Sequence, residues 1–99
     1  MRKFAIYQLP EGNPKIRDMY FMGKDEIEEI SDQYELVGLV NAETFSEVFE
    51  IGNIDFDKIE IVGDMHSVSV GDILEDLSTG IAVVVERIGF SKIDMKEEK

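Results

Sequence analysis

Near the N-terminus, apolar and polar residues alternate in the pattern of a β-strand. In the segment KFAIYQL, Phe4 and Ile6 alternate with Ala5 and Tyr7, and β-forming residues prevail. Two prolines and a glycine in the following PEGNP segment end this strand, because proline cannot donate to a strand ladder. The segment IRDMYFM, residues 16–22, is predicted to form a second strand that pairs back as a hairpin with a long loop.

The next segment has the spacing of a short amphipathic helix. In KDEIEEISDQ, residues 24–33, Ile27 and Ile30 share one face, and acidic residues crowd the first turn. Negative charge is favourable there because the helix dipole is positive at its N-terminus. The apolar run YELVGLV, residues 34–40, follows and has the length of a strand.

A second helix is marked most clearly in NAETFSEVFEIGN, residues 41–53. Thr44 and Glu47 have the spacing of a capping box, and Gly52 is predicted to close the C-terminal end. The apolar stripe of this helix consists of Phe45, Val48 and Phe49.

The remaining pattern completes a mixed fold. Residues 54–62 predict a further turn of helix and then an extended segment, and residues 67–90 predict a strand, a turn at STG and a β-branched strand. We therefore predict an α+β protein with a small, mostly antiparallel sheet and two short helices. Residues 1–93 are expected to form a single domain, and residues 94–99 a flexible C-terminal tail.

Composition narrows the class of protein. The 99 residues include no cysteine, which excludes disulfides, thiolate metal sites and cysteine nucleophiles. A membrane helix needs about 20 apolar residues, and no apolar run of the sequence approaches that length. The N-terminus has too short an apolar stretch for a signal peptide, so we expect a cytoplasmic protein.

The stretch GDMHSVSVGDILED contains the only histidine and is the strongest candidate for a reaction centre. Adjacent residues of a strand point to opposite faces, so Ser67 and Ser69 would project away from His66. We interpret His66 and the serines as groups that satisfy backbone atoms at a strand entrance. Gly71 and Asp72 are interpreted as a turn, with positive φ at the glycine and the aspartate side chain capping backbone amides.

The sequence offers little support for a metal site or for direct nucleic-acid binding. Asp55, Asp57 and Glu60 have neither the spacing of a calcium loop nor its final glutamate, and one histidine cannot build a multi-histidine zinc site. We predict no catalytic residue, no metal and no cofactor. Gly80 and Gly89 stand alone at turns, and the ten basic residues do not cluster, so direct nucleic-acid binding is not expected.

The uneven charge distribution is the strongest physical signal. The net charge is −12, to which residues 1–23 contribute +2, residues 24–60 contribute −10 and residues 61–99 contribute −4. Such a surface repels anionic membranes and attracts basic partners, including nucleic-acid-binding channels. The predicted partner-binding residues are Asp25, Glu26, Glu28, Glu29, Asp32, Glu43, Glu47 and Glu50.

Several segments occur in the order seen in a known family. FAIYQL, an arginine–aspartate–aromatic segment (Arg17, Asp18, Tyr20), YELVGLV, ETFSEVFEIGNI, MHSVSVGDIL and a GF ending resemble the YodL-like domain of Gram-positive bacteria. Gly71 stands where that family usually has serine, and STG where its hairpin often has asparagine–glycine. The resemblance implies the same fold, no enzymatic activity, and an origin in conjugative elements or phages.

Charge and resemblance together favour a non-enzymatic inhibitor from a mobile element. It would block a cationic site on a basic host protein, a CRISPR effector or a restriction enzyme, by mimicking nucleic acid. The alternative is a cellular regulatory or scaffold module that binds a cytoskeletal or envelope protein through an apolar strand edge or helix. A hydrolase centred on His66 is the third hypothesis. We expect a monomer, since the charge resists self-association.

Overall fold

In the computed structural model, which describes residues 1–96, six strands form one antiparallel sheet with two α-helices. The strands are β1 (Arg2–Gln8), β2 (Glu35–Ala42), β3 (Ile59–Ile61), β4 (Ile73–Asp76), β5 (Ile81–Val85) and β6 (Phe90–Ile93), and the helices are α1 (Lys24–Glu29) and α2 (Phe45–Ile54). The spatial order is β3-β2-β1-β4-β5-β6. The predicted α+β class, with an antiparallel sheet and two short helices, is confirmed.

Strand β1 lies in the middle of the sheet, between β2 and β4. The predicted alternation is confirmed, since Phe4 and Ile6 belong to one core cluster and Tyr7 packs against the other. The ladder with β2 shifts register between Ile6 and Tyr7, which leaves Val37 as an extra residue of β2. The backbone N–H of Val62 and that of Gly63 both donate to the carbonyl of Val37, the bulged residue.

The sheet is covered on both faces, which divides the core in two. The α2-side core contains Phe4, Ile6, Val37, Val40, Ala42, Val48, Ile51, Ile59, Val68, Leu74, Val83 and Val85. The α1-side core contains Leu9, Met19, Ile27, Tyr34, Ile73, Ala82, Val84 and Ile93. Neighbouring residues of β4 and β5 fall into different clusters because side chains alternate across a strand. Helices α1 and α2 therefore lie on opposite faces of the sheet.

Helix α2 begins as predicted and ends later than predicted. The Thr44 hydroxyl accepts from the Glu47 N–H at 3.1 Å, while the Glu47 carboxylate accepts from the Glu43 N–H at 2.7 Å. Gly52 lies inside the helix, not at its end, and its lack of a side chain lets Val68 approach. An added Cβ at this glycine would lie 2.3 Å from the Val68 Cγ2. Phe49, predicted in the apolar stripe, is 36% exposed.

The predicted strand at residues 16–22 is wrong. This segment forms short 3-10 turns at Pro14–Arg17 and Met19–Phe21. Both ladders of β1 are already occupied by β2 and β4, so β1 has no free edge for a hairpin partner. Only Met19 of the second turn is buried, where it packs in the α1-side core.

The C-terminal region holds one more strand than predicted. A turn at residues 77–80 joins β4 to β5 as expected, and β6 then pairs with β5. The strand predicted from residue 67 begins at Ile73, so residues 67–72 precede the sheet. The predicted turn at Gly71 and Asp72 is confirmed by a φ of 95° at Gly71.

The predicted tail at residues 94–99 starts too early. The Asp94 N–H donates to Glu28 at 2.6 Å, the Lys96 N–H donates to the Ser31 hydroxyl at 2.7 Å, and Met95 packs on the α1-side core. Residues 94–96 therefore belong to the domain, and residues 97–99 lie outside the described residues. Among the helices described, none is long and apolar enough to cross a membrane.

Candidate functional site

The structure divides the eight predicted partner-binding carboxylates into two groups. Asp25, Glu26, Glu28, Glu29 and Asp32 lie on or just after α1, whereas Glu43, Glu47 and Glu50 lie just before or on α2. Since the two helices cover opposite faces of the sheet, these groups do not form one continuous surface. We call the first group the α1 acidic patch and the second the α2 acidic group.

Several carboxylates of the α1 acidic patch also contact other parts of the chain through hydrogen bonds or an ion pair. Glu28 Oε2 accepts from the Asp94 N–H, and Glu29 Oε1 lies 3.0 Å from Lys96 Nζ. Glu26 accepts from the Gly23 N–H at the start of the helix, at 3.4 Å. Asp25 and Asp32 are exposed and complete the patch.

The neighbouring carboxylates make this patch strongly negative. Glu29, through its hydrogen bond, raises the pKa of the Lys96 ammonium, and the charges of Asp32 and Glu28 act in the same direction. Lys96 is half exposed. The patch thus holds a cation at its surface.

A cavity of about 440 Å³ adjoins the α1 acidic patch. The acidic residues Asp32, Glu75 and Asp94 line it, against one basic residue, Lys96, and the aromatic residues Tyr7 and Tyr34 line it as well. The Tyr7 hydroxyl donates to Glu75 at 2.8 Å. Burial, with the Glu75 contact, raises the pKa of Tyr7 to about 12, so this hydroxyl stays protonated at neutral pH. The cavity is therefore a negative, partly aromatic recess that suits a cationic group.

The α2 acidic group is smaller and is tied to the backbone. Glu47 caps the helix through the Glu43 N–H, and Glu43 Oε2 lies 3.8 Å from the N-terminal ammonium of Met1. Arg2 donates to the Glu43 carbonyl. Glu50 is exposed on the helix.

His66 lies in a segment without regular secondary structure before β4, not on a strand. The Gln8 side chain holds its backbone at both ends: Oε1 accepts from the His66 N–H at 3.1 Å, and Nε2 donates to its carbonyl at 2.9 Å. The imidazole is exposed, with Nδ1 2.8 Å from the Ser67 carbonyl oxygen. The prediction that the Asp72 side chain caps a backbone amide is confirmed by the Ser69 N–H, and the His66 ring does contact a backbone carbonyl. The strand alternation expected for this stretch is wrong, because residues 64–72 precede strand β4.

Asp72 is the central buried polar group of this region. Its Oδ2 accepts from the Ser69 N–H at 2.9 Å and from Gln8 Nε2 at 3.0 Å. Its Oδ1 is buried without a hydrogen-bond partner among the described residues. Burial raises the pKa of Asp72 to about 7, although the Ser69 and Gln8 hydrogen bonds and the charge of His66 oppose this rise.

Sequence reasoning missed the Gln8–Asp72 pair and the cavity. Gln8 follows the run FAIY of β1 and is buried, and a polar residue at a core position signals a buried hydrogen bond. The cavity carries no comparable signal, because its walls come from β1, β4, β5, β6 and the segment after α1.

Residues 1–96 contain no group of three or more histidine, cysteine or acidic side chains placed to hold a metal ion. No family model, curated protein or solved structure matches this chain. The resemblance to the YodL-like domain therefore stays a prediction.

Proposed function

We propose that the protein, as a monomer, binds a basic host protein through the α1 acidic patch and blocks a cationic nucleic-acid-binding site there. The target class is a CRISPR effector or a restriction enzyme. The observation that carries the proposal is the position of the 440 Å³ acid-lined cavity beside that patch. A partner's arginine or lysine side chain can enter the cavity while its neighbours pair with α1.

Two further observations support this site over the α2 acidic group. The ammonium of Lys96 already pairs with Glu29 at the patch, as a partner's cation would. In the α2 acidic group, in contrast, the Glu47 carboxylate already accepts a hydrogen bond at the start of its own helix. The resemblance to a domain found in conjugative elements and phages supports a role against host defence.

Association would follow the physics of nucleic-acid binding. Carboxylates that replace phosphates in a basic groove release the counterions held there, so affinity falls as salt concentration rises. The mobile-element inhibitor and the alternative scaffold module differ in this respect, because an apolar strand edge or helix gives binding with little salt dependence.

The test compares two double variants with equal net charge. Asp25→Lys with Asp32→Lys changes the α1 acidic patch, and Glu43→Lys with Glu50→Lys changes the α2 acidic group. Each exchange adds two charges, so both variants carry −8 in place of −12. Glu28, Glu29 and Glu47 are left unchanged because they hold the fold.

The measurement is DNA cleavage by purified CRISPR effectors and restriction enzymes with each protein present, at low and high salt. We expect the wild type to inhibit a target, the α1 variant to lose about tenfold or more in potency, and the α2 variant to keep it. High salt should weaken the inhibition. Equal loss in both variants, or no inhibition of any enzyme at low salt, would contradict the proposal.

A further inference from the structure

The segment after β6, residues 94–96, lies against the α1 acidic patch. Lys96 Nζ is 3.0 Å from Glu29 Oε1, in an ion pair between side chains that are 46% and 75% exposed. The two residues are 67 positions apart in the sequence, so the pair is a tertiary contact. The patch therefore carries a cation of its own chain at the place where the proposed function needs a cation of the partner.

Lys96 also lines the 440 Å³ cavity beside the patch. Among the described residues that line this cavity it is the only basic one, whereas Asp32, Glu75 and Asp94 are acidic. A cationic side chain that enters the cavity is attracted by these carboxylates and repelled by the ammonium at the wall. The ammonium thus opposes the event on which the proposed function depends.

The surroundings of Lys96 keep its side chain charged. The hydrogen bond to Glu29 raises the pKa of the ammonium, and the charges of Asp32 and Glu28 add to that rise. Lys96 is consequently a cation at neutral pH, and the repulsion of an incoming cation is always present there.

The backbone of the segment is fixed independently of the ammonium. The Lys96 N–H donates to the Ser31 hydroxyl at 2.7 Å, and this hydroxyl, which is buried, donates to the Glu28 carbonyl at 2.8 Å. Met95 packs on the α1-side core. The Lys96 side chain can therefore leave Glu29 by rotation about its own bonds, with no release of the segment.

Displacement of the ammonium is a small step in free energy. An ion pair between exposed side chains contributes at most about 1 kcal/mol. Lys96 Nζ pairs with one carboxylate among the described residues, that of Glu29, whereas an arginine guanidinium has five N–H donors and can bridge two carboxylates. A partner's lysine would only exchange one ammonium for another, so arginine is the side chain that gains from the exchange.

We propose that the contact between Lys96 and Glu29 is autoinhibitory. The ammonium occupies the α1 acidic patch as an internal competitor, and an arginine side chain of the partner displaces it on binding. This inference rests on the proposed function and adds the regulation of the same site. It predicts that a chain without the ammonium binds guanidinium groups more tightly than the wild type does.

Calorimetric titration of a hexa-arginine peptide into the intact protein, at about 0.15 M ionic strength, tests the proposal. Lys96→Met removes the ammonium and keeps a long apolar stem. Lys92→Met is the matched control, because each exchange changes the net charge from −12 to −13. Lys92 is exposed on β6 and pairs with Val83, which belongs to the α2-side core, so its side chain lies on the face away from α1.

We expect Lys96→Met to bind the peptide about threefold or more tightly than the wild type, and Lys92→Met to bind as the wild type does. Equal affinity of the wild type and Lys96→Met, an equal gain in both variants, or no binding by any of the three proteins would overturn the proposal. Circular dichroism should show both variants folded, because each replaced side chain is at least partly exposed and the backbone hydrogen bond of Lys96 is kept.

A second measurement needs no change at Lys96. In the wild type, saturation with the peptide should move the ¹³C resonance of Lys96 Cε to the position that it has in peptide-free Glu29→Gln, where the ion pair is absent. A resonance that stays at its free position in the complex would show that the ammonium is not displaced, which contradicts the proposal.

Failure of the proposed function gives a different result. Tighter peptide binding by Lys96→Met, with no CRISPR effector or restriction enzyme inhibited, would keep the autoinhibitory contact and reject those enzymes as targets. Inhibition of such an enzyme with equal potency by the wild type, Lys96→Met and Lys92→Met would keep the proposed function and reject the autoinhibitory contact.

Discussion

Two buried aspartates stand near the ends of β4 and behave in opposite ways. Asp76, the last residue of the strand, accepts from the Ser78 hydroxyl at 2.6 Å and lies 3.0 Å from the Arg2 guanidinium. These contacts, the Ser78 hydroxyl first, lower the pKa of Asp76. Asp72, just before the strand, has amide donors on one oxygen only, and burial raises its pKa. The environment, not the residue type, sets the proton affinity.

Asp72 should make stability fall as pH rises. With its pKa raised from 3.8 to about 7, the folded protein keeps a proton that the unfolded chain releases. The stabilising contribution is therefore complete below the unfolded pKa and is lost as pH rises through the folded one. We expect Asp72→Asn to remove a slope of up to about 1.4 kcal/mol per pH unit in this window, measured by urea unfolding.

Asparagine suits this test because its carbonyl oxygen can still accept from Ser69 and Gln8. Asp64→Asn, at an exposed aspartate of the irregular segment before β4, is the matched control and should leave the slope of the wild type unchanged. Parallel curves for the wild type and Asp72→Asn would show that Asp72 does not carry the pH dependence.

At the scale of elements, the segment after β6 joins the sheet to α1. Helix α1 has six residues, too few to be stable without tertiary contacts. Ile27 is buried on the inner face of the helix. The Glu28 carboxylate accepts from the Asp94 N–H, and the Ser31 hydroxyl accepts from the Lys96 N–H. The helix is thus held both from the sheet side and along its edge.

Removal of that segment should destabilise the domain. A chain that ends after Ile93 loses these two backbone hydrogen bonds, the exposed Lys96–Glu29 ion pair and the packing of Met95, compared with a reference chain that ends after Lys96. We expect the shorter chain to lose about 1–3 kcal/mol in the free energy of unfolding, measured in urea. Equal stability would restore residue 93 as the domain boundary.

At the scale of the whole molecule, charge opposes folding. The chain has 22 acidic and 10 basic residues, and compaction brings the excess carboxylates together. The structure separates the main acidic groups by placing α1 and α2 on opposite faces of the sheet, which limits the repulsion between them.

Added salt should therefore stabilise the protein. Between about 0.01 M and 0.15 M ionic strength the Debye length falls from about 30 Å to about 8 Å, which screens the repulsion between faces. We expect the melting temperature to rise over this range, measured by calorimetry. The melting temperature of the Asp25→Lys, Asp32→Lys variant should rise less than that of the wild type. A wild-type melting temperature that falls with salt would contradict this account.

The sequence alone predicted the fold class because hydrophobic spacing is a local property. The alternation of KFAIYQL, the Thr44 and Glu47 caps and the Gly71–Asp72 turn each depend on residues a few positions apart. Residues 16–22 could not be assigned this way, because their β-like composition matters only where a sheet edge is free. Gly52 was misread as a helix end for a similar reason, since its role is contact with Val68.

For the candidate site, the sequence determined the charge and the tertiary structure decided its arrangement. The excess of carboxylates in residues 24–60 is visible without coordinates, as is the absence of cysteine. Whether those carboxylates share one surface depends on which face of the sheet each helix covers, and the strand order sets that. The acid-lined cavity likewise joins residues distant in sequence, so only packing could bring them together.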